Sequence, residues 1–174
     1  MRVAILGAGT AGCVLAARLS EDSATEVVLL EAGPHYRAGQ WPAELSHAYR
    51  IIKETHDWDY LAQAGASPRL VHVARGRVVG GSSVTNGAIA LRGLPEHYDE
   101  WSGFVDGYDW QSMLPCFRAI ERDGQFPDAD YHGDSGPIAI NRHPRESWYP
   151  LMERFAEAAL ARGHGWIDDH NKPG

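Results

Sequence analysis

The amino-acid sequence predicts a mixed α/β fold that opens on a parallel sheet and leaves that sheet incomplete. Residues 2–6 (Arg-Val-Ala-Ile-Leu) are a short apolar run ending in Gly7. Residues 10–20 are rich in Ala, Leu and Arg with the apolar spacing of a helix, and Val27–Leu30 is a second apolar run. Strand, glycine turn, helix and strand within about thirty residues make a right-handed βαβ unit the economical arrangement. Strands that are apolar throughout, not alternately, belong to sheets covered on both faces. A complete doubly wound sheet needs roughly five or six such strands, and only these two runs qualify.

The remaining elements follow in order. Residues 33–68 have no strong period and hold Gly, Pro and the aromatics Tyr36, Trp41, Tyr49, Trp58 and Tyr60. They read as an extended excursion with short helical turns, its rings used for ordinary packing. Residues 69–74 read as a strand and 76–93 as a Gly/Ser/Asn-rich stretch. Residues 95–102 and 110–122 read as helices, with Asp109 as the N-cap of the second. Residues 137–142 read as a strand. A helix over 147–162 starts near Ser147 and is stopped by Gly163. Its Leu151, Phe155, Ala158 and Ala159 form a stripe expected to face the core. Asp168–Gly174 reads as loop.

Composition narrows the function classes. With 174 residues, 44% of them hydrophobic, the chain can bury a real core. A net charge of −7 argues against nucleic-acid binding through the global field. No segment approaches 18 consecutive apolar residues, so no membrane-spanning helix is expected. A strand starting at Arg2 argues against a signal peptide and for a cytoplasmic location. Cys13 and Cys116 are too few for a disulfide framework and are expected as small buried hydrophobes. Asp128–Asp134 is not a calcium loop, because its twelfth position is Ala139 where Glu is needed; a solvated turn is expected. His164 and His170 are expected as exposed loop residues.

Gly7-Ala8-Gly9-Thr10-Ala11-Gly12 is a G-x-G-x-x-G that follows an apolar strand and opens a helix. Gly7 permits the tight turn, Gly9 lets backbone approach a pyrophosphate, and Gly12 lets helix and strand pack closely. The free N–H groups of Thr10, Ala11 and Gly12 would then face phosphate. Glu31 lies 19 residues past Gly12, where an acid accepts hydrogen bonds from the adenosine ribose. An acid there disfavours NADP; FAD and NAD both remain open on this motif.

Arg75-Gly76-Arg77-Val78-Val79-Gly80-Gly81-Ser82-Ser83-Val84-Thr85-Asn86-Gly87 offers consecutive small residues and several hydroxyls. Such a stretch can lie against a flat ring or a pyrophosphate. Arg77 either balances phosphate charge or is a solvated surface arginine.

The stretch resembles the first signature of the glucose–methanol–choline oxidoreductases at Gly76, Arg77, Val79, Gly80, Gly81, Ser82, Ser83 and Asn86. Ala90, Gly93 and Asp99 follow at the family's spacings. Glu31-Ala32-Gly33-Pro34, Trp58-Asp59-Tyr60, Tyr98-Asp99-Glu100-Trp101, His132-Gly133-x-x-Gly136-Pro137 and Asp169-x-Asn171 also resemble it, so the likeness spans nearly the whole chain. One position departs. Thr85 stands where an aliphatic residue is usual and where some members carry a flavin-linked His. The departure implies FAD held without a covalent bond.

The resemblance implies a Rossmann-like FAD-binding domain over residues 1–125, its parallel sheet incomplete, and the start of an α+β substrate domain over 126–174. By it, Gly7–Gly12 hold the FAD pyrophosphate and Glu31, with Ala32, the adenosine ribose. Arg77, Gly80, Gly81 and Ser83 belong to the cofactor seat. Val78 and the backbone of Asn86, Gly87, Ala88 and Ile89 lie on the flavin side. The implied reaction is alcohol oxidation by hydride transfer to flavin, with a small-molecule alcohol as substrate. The family's catalytic His lies near the end of members several times longer, so none of the nine histidines is assigned. The expectation is a fragment, truncated product or half of a split enzyme with a complementary C-terminal chain. A non-catalytic FAD-binding module and an NAD-dependent dehydrogenase stand as alternatives.

Overall fold

The computed structural model describes residues 1–46 and 54–173. Tyr49, counted above among the aromatics, and the last loop residue, Gly174, lie outside the described residues. The chain divides into two compact units, Met1–Ile89 and Ala90–Gly174. The division falls after Ile89, whereas the resemblance implies a boundary after residue 125.

The first unit opens as the sequence predicts. Strand β1 (Arg2–Leu6), helix α1 (Thr10–Leu19) and strand β2 (Glu26–Leu30) form the βαβ unit, with β1 and β2 parallel and paired from Arg2↔Glu26 to Leu6↔Leu30. The Gly7 N–H donates to Leu30 O at 2.7 Å and prolongs the ladder into the glycine turn. Ile5, Ala8 and Val78 are buried and make the small core. The sheet has only these two strands among the described residues. Its ends stay open: Leu6 is 81% exposed and Leu30 about half. Buried-type strands without covering layers leave such surface.

The excursion contains one short 3-10 turn, Ala43–Ser46. It also contains a strand that the sequence did not mark, β3 (Tyr60–Gln63), antiparallel to β4 (Leu70–Val73). The segment alternates weakly, and pairing with β4 decides its conformation. Trp58 and Tyr60 are exposed and stack on one another with ring centroids 5.9 Å apart. Helix α2 (Ser82–Thr85) is a single turn inside the second glycine motif.

In the second unit, α3 (Pro95–Ser102) and α4 (Trp110–Ile120) are tied by the Asp99 carboxylate, which accepts from Trp110 N–H at 3.0 Å. Asp109 caps α4 as predicted, accepting from Ser112 N–H at 3.0 Å. The predicted helix to residue 122 ends at Ile120. Glu121–Asp123 leave the helix as strand β5, parallel to β6 (Ile138–Ile140), because both acids are drawn into a buried ionic cluster described below. Helix α5 spans Pro150–Ala161, starting later than expected with Pro at its first position, and residues 145–147 form a 3-10 turn. Gly163 follows with φ +85°.

Three expectations are corrected in this unit. Leu151 and Phe155 are three-quarters or more exposed and Ala158 is exposed, so the stripe on α5 does not face the unit's core; the one buried residue of that helix is Ala156. Cys116 is exposed, and Cys13, in the first unit, is half-buried. His132 is 1% exposed within the Asp128–Asp134 turn, which is therefore not a solvated loop at its centre. His164 and His170 are exposed as expected. Among the described residues no helix is long and apolar enough to cross a membrane.

Candidate cofactor site

The first unit interlocks the two glycine motifs. Gly80 N–H donates to Ala8 O at 2.6 Å, and Gly9 and Gly80 form a parallel bridge. Gly81 sits at φ +58°, and a Cβ there would lie 2.9 Å from the Gly9 Cα. Only glycine combines that backbone with that approach. Val79 N–H donates to Pro34 O at 3.0 Å, so residues 77–81 cross the ends of both parallel strands. Gly12 plays the role its motif position predicts: a Cβ would meet Gly7 O at 2.0 Å. The two motifs, some seventy residues apart in sequence, thus meet at Ala8–Gly80 and Gly9–Gly81.

That interlock frames the N-terminus of α1. Gly9 precedes α1 without a side-chain cap, and no acid occupies the first turn. The backbone N–H groups at Thr10, Ala11 and Gly12 lack intrahelical acceptors by helix geometry, and the helix dipole adds partial positive charge. A Cβ built on Gly9 meets nothing within 4 Å; the space over the turn is open. Thr10 and Ala11 are exposed beside it.

Glu31 closes β2 half-buried, with both carboxylate oxygens engaged. Oε2 accepts from Ala8 N–H at 2.8 Å and Oε1 from Gly33 N–H at 2.8 Å. It thus ties the glycine turn to the exit of β2, and each oxygen keeps a lone pair for a further donor. Ala32 next to it is exposed.

In the rest of the signature, Ser82 Oγ accepts from Gly76 N–H at 3.0 Å, and Ser83 Oγ donates to Gly80 O at 2.7 Å. Val78 is fully buried, and Thr85 is buried. Asn86 Oδ1 accepts from Ala88 N–H at 2.8 Å, which holds Ala88 at φ +52°. Gly87 is half-buried, and Ile89 is 78% exposed. The Arg77 side chain is exposed and lies over the Trp58 ring, Cζ 5.8 Å from the centroid.

Asp57 locks the approach to this motif. Oδ1 accepts from Asp59 N–H at 2.7 Å and meets His72 Nε2 at 3.1 Å; Oδ2 accepts from Arg75 N–H at 2.8 Å. Burial works to raise its pKa, but those donors outweigh it and hold the carboxyl below its usual range. Asp57, Asp59 and His72 are the one group among the described residues whose ligand-type atoms all lie within 4.8 Å. Asp57's hydrogen bonds already account for the cluster.

The second unit holds a constellation the sequence reading missed. His132 Nδ1 meets Glu121 Oε1 at 2.8 Å and its Nε2 meets Asp169 Oδ2 at 2.7 Å. Arg142 donates to Asp123 Oδ2 at 2.7 Å and to Asp169 Oδ1 at 2.8 Å, and Arg92 pairs with Glu121. Burial opposes ionisation of all three acids. Arginine and histidine donors and backbone N–H groups overcome it, holding Glu121 and Asp123 below the usual range and Asp169 at about 2. Asn171 completes the cluster, donating to Ala90 O at 2.9 Å and accepting from Arg92 N–H at 2.9 Å. Every buried side-chain N or O among the described residues has a partner. The motifs His132-Gly133 and Asp169-x-Asn171 were the available signal. They are polar side chains buried as a set, and their spacing in sequence gives no sign of it.

The chain resembles known proteins over nearly its whole length. The family model described as GMC oxidoreductase matches residues 1–172. The chain is 39% identical over 172 residues to the oxygen-dependent choline dehydrogenase of Photobacterium profundum, covering 96% of this chain and 30% of that protein. It is 36% identical over 179 residues to the 5-(hydroxymethyl)furfural oxidase of Methylovorus sp. (strain MP688), covering 96% and 34%. Among solved structures, pyridoxine 4-oxidase from Mesorbium loti superposes with a TM-score of 0.77 at 37% identity, over 97% of this chain and 33% of that one. The chain spans about a third of the length of these relatives.

Proposed function

This chain belongs to the GMC oxidoreductase family, and we propose that it forms the FAD seat of an enzyme oxidising the CH–OH group of a small alcohol, with FAD held non-covalently. The interlock of Gly7–Gly12 with residues 77–81 carries the reading. It sets an uncapped helix N-terminus beneath open space at Gly9, the chemistry a diphosphate fits.

Gly7, Gly9, Thr10, Ala11 and Gly12 would hold the diphosphate through backbone N–H groups. Glu31, with Ala32, would take the adenosine ribose through its remaining lone pairs. Gly80, Gly81 and Ser83 would form the wall against the dinucleotide, with Val78 supporting it from the core. Asn86, Gly87, Ala88 and Ile89 would border the flavin, the Asn86–Ala88 hydrogen bond fixing that backbone. When bound, FAD supplies the hydride acceptor for the substrate carbon. Thr85 has no imidazole to bond the flavin, and its burial supports the non-covalent form.

The CH–OH class draws support from relatives named for choline, 5-(hydroxymethyl)furfural and pyridoxine. Residues 1–125 are proposed as the cofactor portion and 126–174 as the opening of the substrate domain. A cytoplasmic setting and a complementary chain carrying the rest of the active site belong to the same reading.

Titrating FAD into the purified chain tests it. Flavin fluorescence should change on binding, NAD should not compete, and acid precipitation should leave all flavin in the supernatant. Failure to bind FAD, or preference for NAD, overturns the seat. Flavin retained in the precipitate overturns the non-covalent form.

A further inference from the structure

We propose that Trp58 is a positioning residue for Arg77, holding its guanidinium for the diphosphate of the bound dinucleotide. This inference rests on the FAD seat proposed above. Arg77 leaves the backbone at a fixed point: its N–H donates to His56 O at 2.7 Å, and its carbonyl carbon lies 2.2 Å from where a Cβ on Gly33 would be. That point is beside the exit of β2, two residues from Glu31, and three residues before Gly80, which bonds to the first glycine motif. The Arg77 side chain makes no ion pair among the described residues, and its one ring partner there is Trp58.

Trp58 is itself held on three sides. Its N–H donates to Arg75 O at 3.0 Å, closing an antiparallel bridge between Asp57 and Gly76. Asp57 pins the residues around it through Asp59 N–H, Arg75 N–H and His72. Its ring stacks on Tyr60 at 5.9 Å with planes 7° apart. An exposed arginine otherwise samples many rotamers, and ordering it costs free energy at the moment of binding. A fixed indole face beneath the guanidinium restricts it beforehand through cation–π attraction and leaves its N–H fork for phosphate oxygens. The ladder Tyr60–Trp58–Arg77 thereby converts a surface arginine into a prepared anion ligand.

The test uses the full chain and three probes: FAD, ADP and adenosine, with affinities from titration calorimetry and flavin displacement. Trp58→Ala and Arg77→Ala should each weaken ADP about tenfold, and the double variant should be no weaker than Arg77→Ala alone. Adenosine, which has no phosphate, should bind all variants alike, and Trp58→Phe should restore ADP to within about twofold. Normal ADP binding by Trp58→Ala, additive effects in the double variant, or equal losses for adenosine overturn the inference while the seat stands. An unaltered chain that binds neither FAD nor ADP overturns the seat and this inference together.

Discussion

Asp169 shows how a single carboxylate here reports the energetics of its surroundings. It accepts from Arg142, meets His132 Nε2 and accepts from Asn171 N–H at 3.0 Å, with almost no exposure. Burial alone would raise its pKa; these donors reverse the sign and bring it from 3.8 to about 2. A depressed folded-state pKa stabilises the fold fully above the unfolded value and loses that contribution as pH falls through the folded one. The group should therefore contribute about 2 kcal/mol above pH 3.8 that disappears toward pH 2. Urea midpoints measured from pH 6 down to pH 2 check this. Asp169→Asn should cost roughly 3 kcal/mol at neutral pH by taking one of their two hydrogen-bonded carboxylates from both Arg142 and His132. The gap between variant and parent should close over that acid window. A gap that stays constant with pH would show that Asp169 acts by packing alone.

At the scale of elements, α5 distinguishes periodicity from burial. Its apolar stripe is real, yet Leu151, Phe155 and Ala159 of that stripe border, with Met152 and Leu160, a groove of about 620 Å³ lined also by Trp148, Trp166 and Ile167. Phe155→Ala in this chain should shift the urea-derived stability by no more than about 0.5 kcal/mol, against the roughly 3–5 kcal/mol of a packed core phenylalanine. A loss in the larger range would place Phe155 in a core after all. The same contrast explains what the sequence made legible. β1, α1 and β2 were readable because local apolar runs and glycine punctuation encode them. Asp109 was readable because capping is local. β3 was not, since Tyr60–Gln63 becomes a strand through its partner Leu70–Val73. The turn from α4 into β5 was not, since Glu121 and Asp123 are buried by His132, Arg142 and Arg92, between 11 and 29 residues away. The glycine motifs were found singly as ligand-binding loops. Their contact with one another, Gly80 on Ala8 and Gly81 on Gly9, is a long-range fact that the fold supplies.

For the molecule as a whole, cofactor holding and turnover make different demands. A seat needs backbone N–H groups, an acid and a wall, and the proposed one draws all three from Met1–Ile89. Alcohol oxidation also needs a base within reach of the substrate hydroxyl. Three of the described histidines are committed elsewhere: His56 to Tyr36 and Thr55, His72 to Asp57, and His132 to Glu121 and Asp169. The chain spans about a third of the relatives' length, and its exposed apolar residues, Leu6 and Leu30 on the sheet among them, mark surface that longer members have more chain to cover. Binding and chemistry should therefore separate experimentally. FAD-loaded chain mixed anaerobically with a panel of small alcohols should keep its oxidised flavin absorbance over hours, while dithionite bleaches it at once. The dithionite arm establishes that the bound flavin accepts electrons, so retained colour isolates the missing step to proton abstraction and substrate placement. Complete bleaching by an alcohol, with no partner chain added, would show that these 174 residues carry the base as well as the seat.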